Sequence, residues 1–395
     1  MSSLVVLGGA DGAITTLQAA CRVGLRTVCV DMRADAPAIP YADEFLNIST
    51  RDVDRLAAVL SARDDIAGVV SPASDVNLPA QYALTERLGL PSGLSPGALK
   101  ASVDKGFFRA ICDQLGMPGP RFVQGTPAEV KAATGLAYPL IVKPTDSSGG
   151  RGISVCHSPA DLDAAVDEAV GPSATGIVIA EEYLAGDHYA AEAIVADGKI
   201  VLFALGSRML TPAPHFVTLQ HQMPSAPELT ATVRAMLDEA CTALGYHWGS
   251  LNADVLVTPD GDVVLIELGA RLGGNGSAEL LGLVHGIDVT EMFVRMSVGE
   301  TVELQAKAGA HALFRAFGVD RPGKLVALHG MEEIRALPEV VELVLAASPG
   351  EHVEPYHQAG AKIGYVVLSA ADTDRLHTAL HLVQGLLYAQ VTEVP

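Results

Sequence analysis

The sequence predicts an α/β protein. Its 395 residues exceed one domain of about 100–200 residues, so we expect roughly two to four domains. Hydrophobic residues make up 49% of the chain, which is enough to form several cores. The N-terminal quarter alternates strand and helix patterns, as parallel sheets do. Further along, patterns of adjacent hairpin strands replace this alternation, so we expect an α+β region to follow.

The N-terminal part has the βαβαβ pattern of a parallel sheet. Apolar runs predict strands at Leu4–Leu7, Thr27–Val30 and Gly68–Val70. Helices are predicted over Ala13–Arg22, Asp52–Ala62 and Val76–Leu88.

A glycine turn follows the first strand and partly matches a dinucleotide-binding turn. The residues concerned are Gly8, Gly9 and Gly12, with Asp31 after the second strand. Their spacing is not G-x-G-x-x-G, so we favour a tight strand–helix turn that binds no dinucleotide. A Pro-, Gly- and Ser-rich break then falls at Leu90–Leu99, before a helix that we expect from Val103 to Leu115.

The segment Leu140–Ile153, LIVKPTDSSGGRGI, predicts a polyphosphate site. A strand over Tyr138–Val142 leads to Lys143, a glycine-rich loop follows, and a second strand returns at Ile153–Cys156. Glycines let backbone N–H groups approach a phosphate, and the lysine supplies a compensating charge. The Walker pattern does not fit, because the lysine precedes the glycines and no helix follows them. An ordinary glycine-containing hairpin is the alternative.

Hairpins and helices are predicted for the middle of the chain. A helix is expected to begin at Ser158 and run to about Ala169, and Glu228–Leu244 predicts a second one. Ala190–Ala196 and Lys199–Leu205 predict a hairpin around the turn Asp197-Gly198. Residues 206–228 contain four prolines and no clear period, so we expect a long irregular loop of the kind that often binds ligands.

Two carboxylates on a second predicted hairpin indicate a metal site. Asp254 and Glu267 lie on the strands Leu251–Val257 and Val263–Leu268, and both side chains share a face if the strands are antiparallel. Two hard oxygen ligands beside substrate phosphates suit magnesium. Solvated acidic side chains are the alternative, but the flanking residues are almost all apolar.

Arg271 follows among glycines, where it could hold a phosphoryl group or a carboxylate; a salt bridge to Glu267 or another acid is the alternative.

The charge excludes some classes of partner. Twenty-six basic and 46 acidic residues give a net charge of −20, which disfavours nucleic acid and anionic membranes. No run of about 18 apolar residues predicts a membrane span. Five scattered cysteines and an N-terminus without a signal-peptide pattern predict a cytoplasmic protein.

Five segments in order resemble the ATP-grasp superfamily: VDKGFFRAICDQLGMPGP, YPLIVKPTDSSGGRGI, IAEEYLAGDHYAAEAIV, LNADVLV and IELGARLGG. The chain is most similar to the carboxylate–amine ligase branch, which includes the L-amino acid ligases, and GYVVLSA from Gly364 resembles the C-terminal subdomain of that branch. The resemblance implies a Rossmann-like pre-ATP-grasp domain followed by a two-part ATP-grasp fold and a C-terminal subdomain. The implied boundaries are residues 1–98, the small lid at 99–184, the large catalytic subdomain at 185–305, and 306–395.

The resemblance also implies roles for single residues. Arg271 and Lys143 would be catalytic, and Asp254 and Glu267 would hold magnesium, which manganese could replace. ATP would contact Lys105, Lys143, Ser147, Ser148, Gly149, Gly150, Glu181, Glu182, Tyr183, Leu184 and Glu192. Substrate contacts are expected from Arg208, His215, His221 and Asn275.

Two departures from the family pattern concern the metal and the ribose. The usual Glu-x-Asn is Glu267-Leu268-Gly269 here, so one metal ligand is missing or comes from Asn252 or Asn275. The usual Gly-x-Glu is Gly186-Asp187-His188, which leaves Glu192 as a replacement ribose contact.

The activity implied by the resemblance is an ADP-forming ligase that joins an amino acid or small carboxylic acid to an amine through an acyl phosphate. The alternative uses bicarbonate or formate as the acid, as the purine and biotin branches do. A nucleotide-binding regulator without turnover and a nicotinamide-dependent oxidoreductase are the other classes. Partners would be small-molecule carboxylates and amines, with a homodimer only by analogy.

Overall fold

The computed structural model describes residues 1–147, 150–213, 215–302, 304 and 309–392. Within these residues the predicted α/β class is confirmed, since strands and helices alternate in the N-terminal part and antiparallel sheets follow. None of the helices in the described part is long and apolar enough to cross a bilayer.

A parallel four-stranded sheet forms the N-terminal part, as the alternating pattern predicts. Its strands are β1 Ser3–Leu7, β2 Arg26–Val30, β3 Glu44–Leu46 and β4 Ile66–Val70, in the order β3-β2-β1-β4. Its helices are α1 Ile14–Arg22, α2 Val53–Ser61 and α3 Leu78–Leu88. Leu4 and Val6 of β1 share a core with α1, whereas Val5 and Leu7 share another with Leu56 of α2. Both faces of the sheet are therefore buried, which is typical of parallel sheets.

Two helices, α4 Pro96–Val103 and α5 Lys105–Gln114, follow where the sequence predicted a break and one helix. The Ser95 side chain accepts a hydrogen bond from the backbone N–H three residues on, at 2.9 Å. This cap and the proline after it start a helix inside the Pro- and Gly-rich stretch. Asp104 caps α5 in the same way. The predicted helix is therefore confirmed as α5, which begins two residues later than expected because Val103 ends α4, a helix that the sequence interpretation missed.

A four-stranded antiparallel sheet, the lid sheet, carries Lys143. Its elements are β5 Phe122–Gly125, α6 Pro127–Ala132, β6 Leu140–Pro144, β7 Ser154–Cys156, α7 Leu162–Val170 and β8 Val178–Glu182. The strand order is β5-β8-β6-β7. The glycine loop, residues 145–153, joins the antiparallel neighbours β6 and β7, as predicted.

The central part contains antiparallel strands and helices. Its elements are β9 Asp187–Ala196, β10 Lys199–Leu210, β11 Thr218–Met223, α8 Pro227–Leu244, β12 Gly249–Val257, β13 Val263–Gly269, α9 Ser277–His285 and α10 Val289–Ser297. The hairpins β9–β10 and β12–β13 confirm both hairpin predictions.

The prediction of an irregular loop over residues 206–228 was wrong. β10 continues to Leu210, and β11 pairs with it so that Arg208 lies opposite His221. Two of the buried side chains of β11, Thr218 and His221, are polar. The apolar alternation that marks a strand in a sequence is therefore absent.

The C-terminal part extends the central sheet. Its elements are β14 His311–Phe317, β15 Gly323–His329, α11 Met331–Arg335, β16 Val340–Leu345, β17 His352–Val353, β18 Gly364–Ala370, α12 Thr373–Leu386 and β19 Tyr388–Thr392. The central sheet has eight strands in the order β13-β12-β9-β10-β11-β14-β18-β16, and a three-stranded sheet has the order β17-β15-β19. Short 3₁₀ turns lie at Asp11–Ala13, Ile39–Tyr41, Asp75–Asn77, Pro159–Asp161 and Ala359–Ala361.

Candidate active site

A cavity of about 700 Å³ lies where the N-terminal sheet, the lid sheet and the central sheet meet. This volume is in the range of small-molecule sites. The turns after β1 and β4 form one wall, at the carboxyl ends of parallel strands, where α/β proteins commonly bind ligands. The glycine loop, the β12–β13 hairpin and the turn before β18 complete the wall.

Most residues predicted to contact ATP lie on this wall: Lys105, Lys143, Ser147, Gly150, Glu181, Glu182, Tyr183 and Leu184. Ser148 and Gly149 are outside the described residues. The Lys105 ammonium donates a hydrogen bond to the Ser147 carbonyl oxygen at 2.8 Å and lies 3.4 Å from a Glu267 carboxylate oxygen. Lys105 thus connects the glycine loop to the β12–β13 hairpin.

Lys143, on the lid sheet, belongs to a buried ion triad. The Glu181 carboxylate pairs with the Lys143 ammonium and accepts a hydrogen bond from Arg109 Nε at 2.9 Å. All three side chains are almost fully buried. Burial alone would raise the pKa of Glu181, but the Lys143 and Arg109 charges lower it to about 2. Glu181 therefore pairs with Lys143 as a carboxylate at neutral pH and holds its side chain at the cavity wall.

Arg109 was missed by the sequence interpretation. Its guanidinium also donates to the carbonyl oxygens of Leu265 and Ile266, at 2.8 and 3.2 Å, so it joins α5 to β13. The sequence did contain an indication of this position. Arg109 stands one helical turn after Lys105 and therefore on the same face of α5.

Asp254 and Glu267 lie directly opposite each other on β12 and β13, so the predicted pairing of these strands is confirmed. Both side chains line the cavity and are partly exposed to it. Asp254 pairs with Arg208; burial raises the pKa of Asp254, but the arginine charge holds it below its usual value. Two carboxyl groups facing a cavity fit a magnesium ion that takes its remaining ligands from substrate phosphates and water. Among the described residues, no group of three or more His, Cys, Asp or Glu side chains has a metal-binding arrangement.

Asn252 is the better placed of the two candidate replacement ligands. It is the cross-strand partner of Gly269, the position where the family has its asparagine, and it lines the cavity. Asn275 also lines the cavity, from the glycine turn beyond Arg271. The amide of Asn252 thus lies beside the position that the missing side chain would fill.

Arg271 forms a bidentate ion pair with Asp75. Its Nε and Nη2 donate to the two carboxylate oxygens of Asp75 at 2.6 and 2.7 Å, and its Nη1 donates to the Leu272 carbonyl oxygen at 3.0 Å. Burial lowers the pKa of Arg271, but the Asp75 charge raises it beyond its usual value. The salt-bridge alternative from the sequence therefore holds, with Asp75 as the partner. The sequence interpretation missed Asp75. It follows β4 at the carboxyl end of a parallel strand, where α/β proteins commonly bind ligands, and this position could have indicated it.

The predicted substrate residues separate into two groups. Arg208 donates to the Thr218 hydroxyl at 3.0 and 2.8 Å and lines the cavity beside His221. His221 is 3% exposed, and its Nδ1 has no hydrogen-bond partner in the described part of the chain. Burial, with the Arg208 charge, lowers the pKa of His221 to about 3. His215 lies outside the cavity wall and stacks on His357, with ring centroids 3.9 Å apart.

Glu192 differs from the sequence-based expectation, whereas the N-terminal glycine turn agrees with it. Glu192 is fully buried under the glycine turn, where it accepts a hydrogen bond from the Gly273 backbone N–H at 2.8 Å, and it does not line the cavity. The suggested ribose contact does not fit this position. At the N-terminal turn, the Asp31 carboxylate accepts from the Gly9 backbone N–H at 2.8 Å. A negative charge at this N–H favours the tight turn over a pyrophosphate site.

Replacing Glu192 with glutamine is expected to make stability less dependent on pH. Burial raises the pKa of Glu192 to about 8, so the folded protein keeps a proton that the unfolded chain loses above its ordinary value of 4.5. The wild-type free energy of unfolding should therefore fall with rising pH by up to about 1.4 kcal/mol per pH unit between these two values. Urea unfolding of Glu192→Gln from pH 5 to 8 should show a growing advantage over the wild type. The exposed Glu86→Gln is the control, and parallel curves for all three proteins would contradict the expectation.

Two family models match the chain. The one described as carbamoyl-phosphate synthase L chain, ATP binding domain, matches residues 104–305. The one described as L-amino acid ligase C-terminal domain 2 matches residues 315–392. Together they cover the lid sheet, the central sheet and the C-terminal strands.

Similar proteins cover nearly the whole chain. An uncharacterised protein of Sinorhizobium fredii is 29% identical over 373 residues, which are 88% of this chain and 76% of that protein. A formate-dependent phosphoribosylglycinamide formyltransferase of a Synechococcus species is 26% identical over 390 residues, or 97% of each. The crystal structure of the L-amino acid ligase from Bacillus licheniformis has a TM-score of 0.86 at 21% identity, covering 100% of this chain and 99% of that one. This last likeness establishes a shared fold.

Proposed function

Since the chain belongs to the ATP-grasp superfamily, whose ATP-binding domain matches about half of it, we propose that it is an ADP-forming carboxylate–amine ligase. Its substrates would be an amino acid or small carboxylic acid and an amine or second amino acid. The observation that carries the proposal is one cavity lined by the lid lysines, the glycine loop, the paired carboxylates and Arg271. The C-terminal match to L-amino acid ligases supports the amine-using branch.

In this proposal the two halves of the cavity have different tasks. Lys105 and Lys143 bind the phosphates of ATP, and the glycine loop covers them and excludes water, which would otherwise hydrolyse an acyl phosphate. Asp254 and Glu267 would hold magnesium, which when bound neutralises phosphate charge. Arg271 stabilises the negative charge on the phosphoryl group by hydrogen bonds.

The substrate side of the cavity is assigned to β10 and β11. Asp254 and Thr218 fix the guanidinium of Arg208, which suits it to orient a carboxylate. A pKa of about 3 makes His221 a weak base at neutral pH, so we assign it to shaping the pocket rather than to accepting the amine proton.

A second candidate function uses formate or bicarbonate as the acid. The observation that favours it is the full-length similarity to a formate-dependent formyltransferase. The fold and the ATP side of the cavity suit both functions, so the substrates decide between them.

A coupled ADP-release assay over pairs of amino acids and small carboxylic acids, with magnesium present, tests both functions. We expect ADP release with at least one acid–amine pair and an amide of matching mass in the products. ADP release only with formate or bicarbonate would favour the second candidate. ATP binding by calorimetry without ADP release for any pair would contradict both and indicate a nucleotide-binding regulator.

A further inference from the structure

The Asp75–Arg271 ion pair joins two distant parts of the chain. Asp75 comes from the turn after β4 of the N-terminal sheet, and Arg271 follows β13 of the central sheet, 196 residues later. Both side chains are only 11–12% exposed and line the cavity. Two parallel hydrogen bonds fix both the position and the plane of a guanidinium, which a single bond does not.

Gly269 provides the space for this pair. A Cβ atom at position 269 would lie 3.0 Å from a carboxylate oxygen of Asp75 and 3.4 Å from the guanidinium carbon of Arg271. Glycine at this position, the departure from the family's Glu-x-Asn pattern, therefore removes the side chain that would press on Asp75.

Without Asp75, another acidic side chain is available to pair with Arg271. The Glu267 charge also acts on its guanidinium. Glu267 lies two strand residues before Gly269 and faces the cavity. An arginine that lost its partner would be drawn towards this carboxylate, because a buried cation needs a compensating charge. Asp75 thus holds the guanidinium away from the Glu267 carboxylate.

We propose that Asp75 is a positioning residue that orients Arg271 for the phosphoryl-transfer step, so that the N-terminal sheet contributes to catalysis through this contact. The inference rests on the proposed ligase function. It gives the N-terminal sheet a role in the reaction that does not depend on nucleotide binding at its glycine turn. Displacing a catalytic group by about 1 Å can cost on the order of 100-fold in rate.

The test compares Asp75→Asn with Asp65→Asn in the ADP-release assay. Asp65 is a matched control, since it forms a bidentate pair with Arg63 in the same sheet, with both bonds at 3.0 Å, away from the cavity. We expect Asp75→Asn to lower kcat about 100-fold while the KM for ATP changes less than about twofold. Asp65→Asn should leave both constants near wild type, with thermal unfolding of both variants measured alongside.

A second substitution separates positioning from a general structural effect. Gly269→Ala should lower kcat about 10-fold on its own but by less than about twofold in the Asp75→Asn background, because both changes act on the same contact. Additive effects, or a fall in kcat that Asp65→Asn matches, would overturn the inference. Equal turnover of Asp75→Asn and wild type would overturn it while leaving the ligase proposal intact. If the wild type released no ADP with any pair of substrates, both this inference and the ligase proposal would be contradicted.

Discussion

Replacing Glu267 with glutamine is expected to lower ADP release about 100- to 1,000-fold, since a metal-binding carboxylate contributes several kcal/mol of charge stabilisation. The substitution keeps the shape of the side chain and removes its charge. Glu267 lies opposite Asp254 and 3.4 Å from Lys105, so the change also removes the carboxylate charge beside that ammonium. The measurement is kcat for ADP release at saturating ATP, with a magnesium titration for each protein.

The matched control for this prediction is Asp260→Asn. Asp260 is an exposed carboxylate in the turn of the same β12–β13 hairpin, at the end away from the cavity. The Asp260→Asn variant should release ADP with the same kcat as the wild type. Undiminished ADP release by Glu267→Gln, with the same magnesium requirement as the wild type, would rule out the proposed metal site.

Arg109→Met is expected to destabilise the protein by about 3–5 kcal/mol, because it leaves a buried carboxylate with only one of its two cationic partners. It also removes the donors to the carbonyl oxygens of Leu265 and Ile266. Urea unfolding at pH 7 measures the loss. The pKa of Glu181 is lowered to about 2, so its stabilising effect is complete above about pH 4.5 and disappears as the pH falls towards 2. The difference between variant and wild type should shrink over the same interval.

The adjacent residue of β8 offers the control for Arg109→Met. Glu182 pairs with Arg121, whose side chain is 64% exposed. Arg121→Met should therefore cost less than about 1 kcal/mol. Equal losses for the two variants would show that burial of the Arg109–Glu181 pair does not set its contribution.

Local patterns in the sequence predicted the parts of the fold and site that are close along the chain. The β12–β13 hairpin places Asp254 opposite Glu267 because a short polar turn and two apolar runs define the register. Alternating apolar and helical segments likewise predicted the parallel N-terminal sheet. β3 was missed because it has three residues, all partly exposed.

Contacts between distant segments could not be predicted in this way. Arg109 meets Glu181 across 72 residues, and Asp75 meets Arg271 across 196, so no local period links either pair. β11 was missed for a different reason. Its buried positions include polar residues that line the cavity, such as His221, where an ordinary core strand has apolar ones. The polar residues of the cavity wall thus remove the apolar pattern by which this strand could be recognised.

The position of β11 inside the central sheet constrains how such proteins can be recombined. β11 carries His221, and its other edge is hydrogen-bonded to β14, from Gln220 opposite Arg315 to Met223 opposite Ala312. A chimaera that exchanged the C-terminal segment with that of a relative would need to restore this register, or it would expose the edge of a strand that lines the cavity. In the proposed function β11 lies on the substrate side of the cavity, so exchanges at this boundary should carry β11 together with β14.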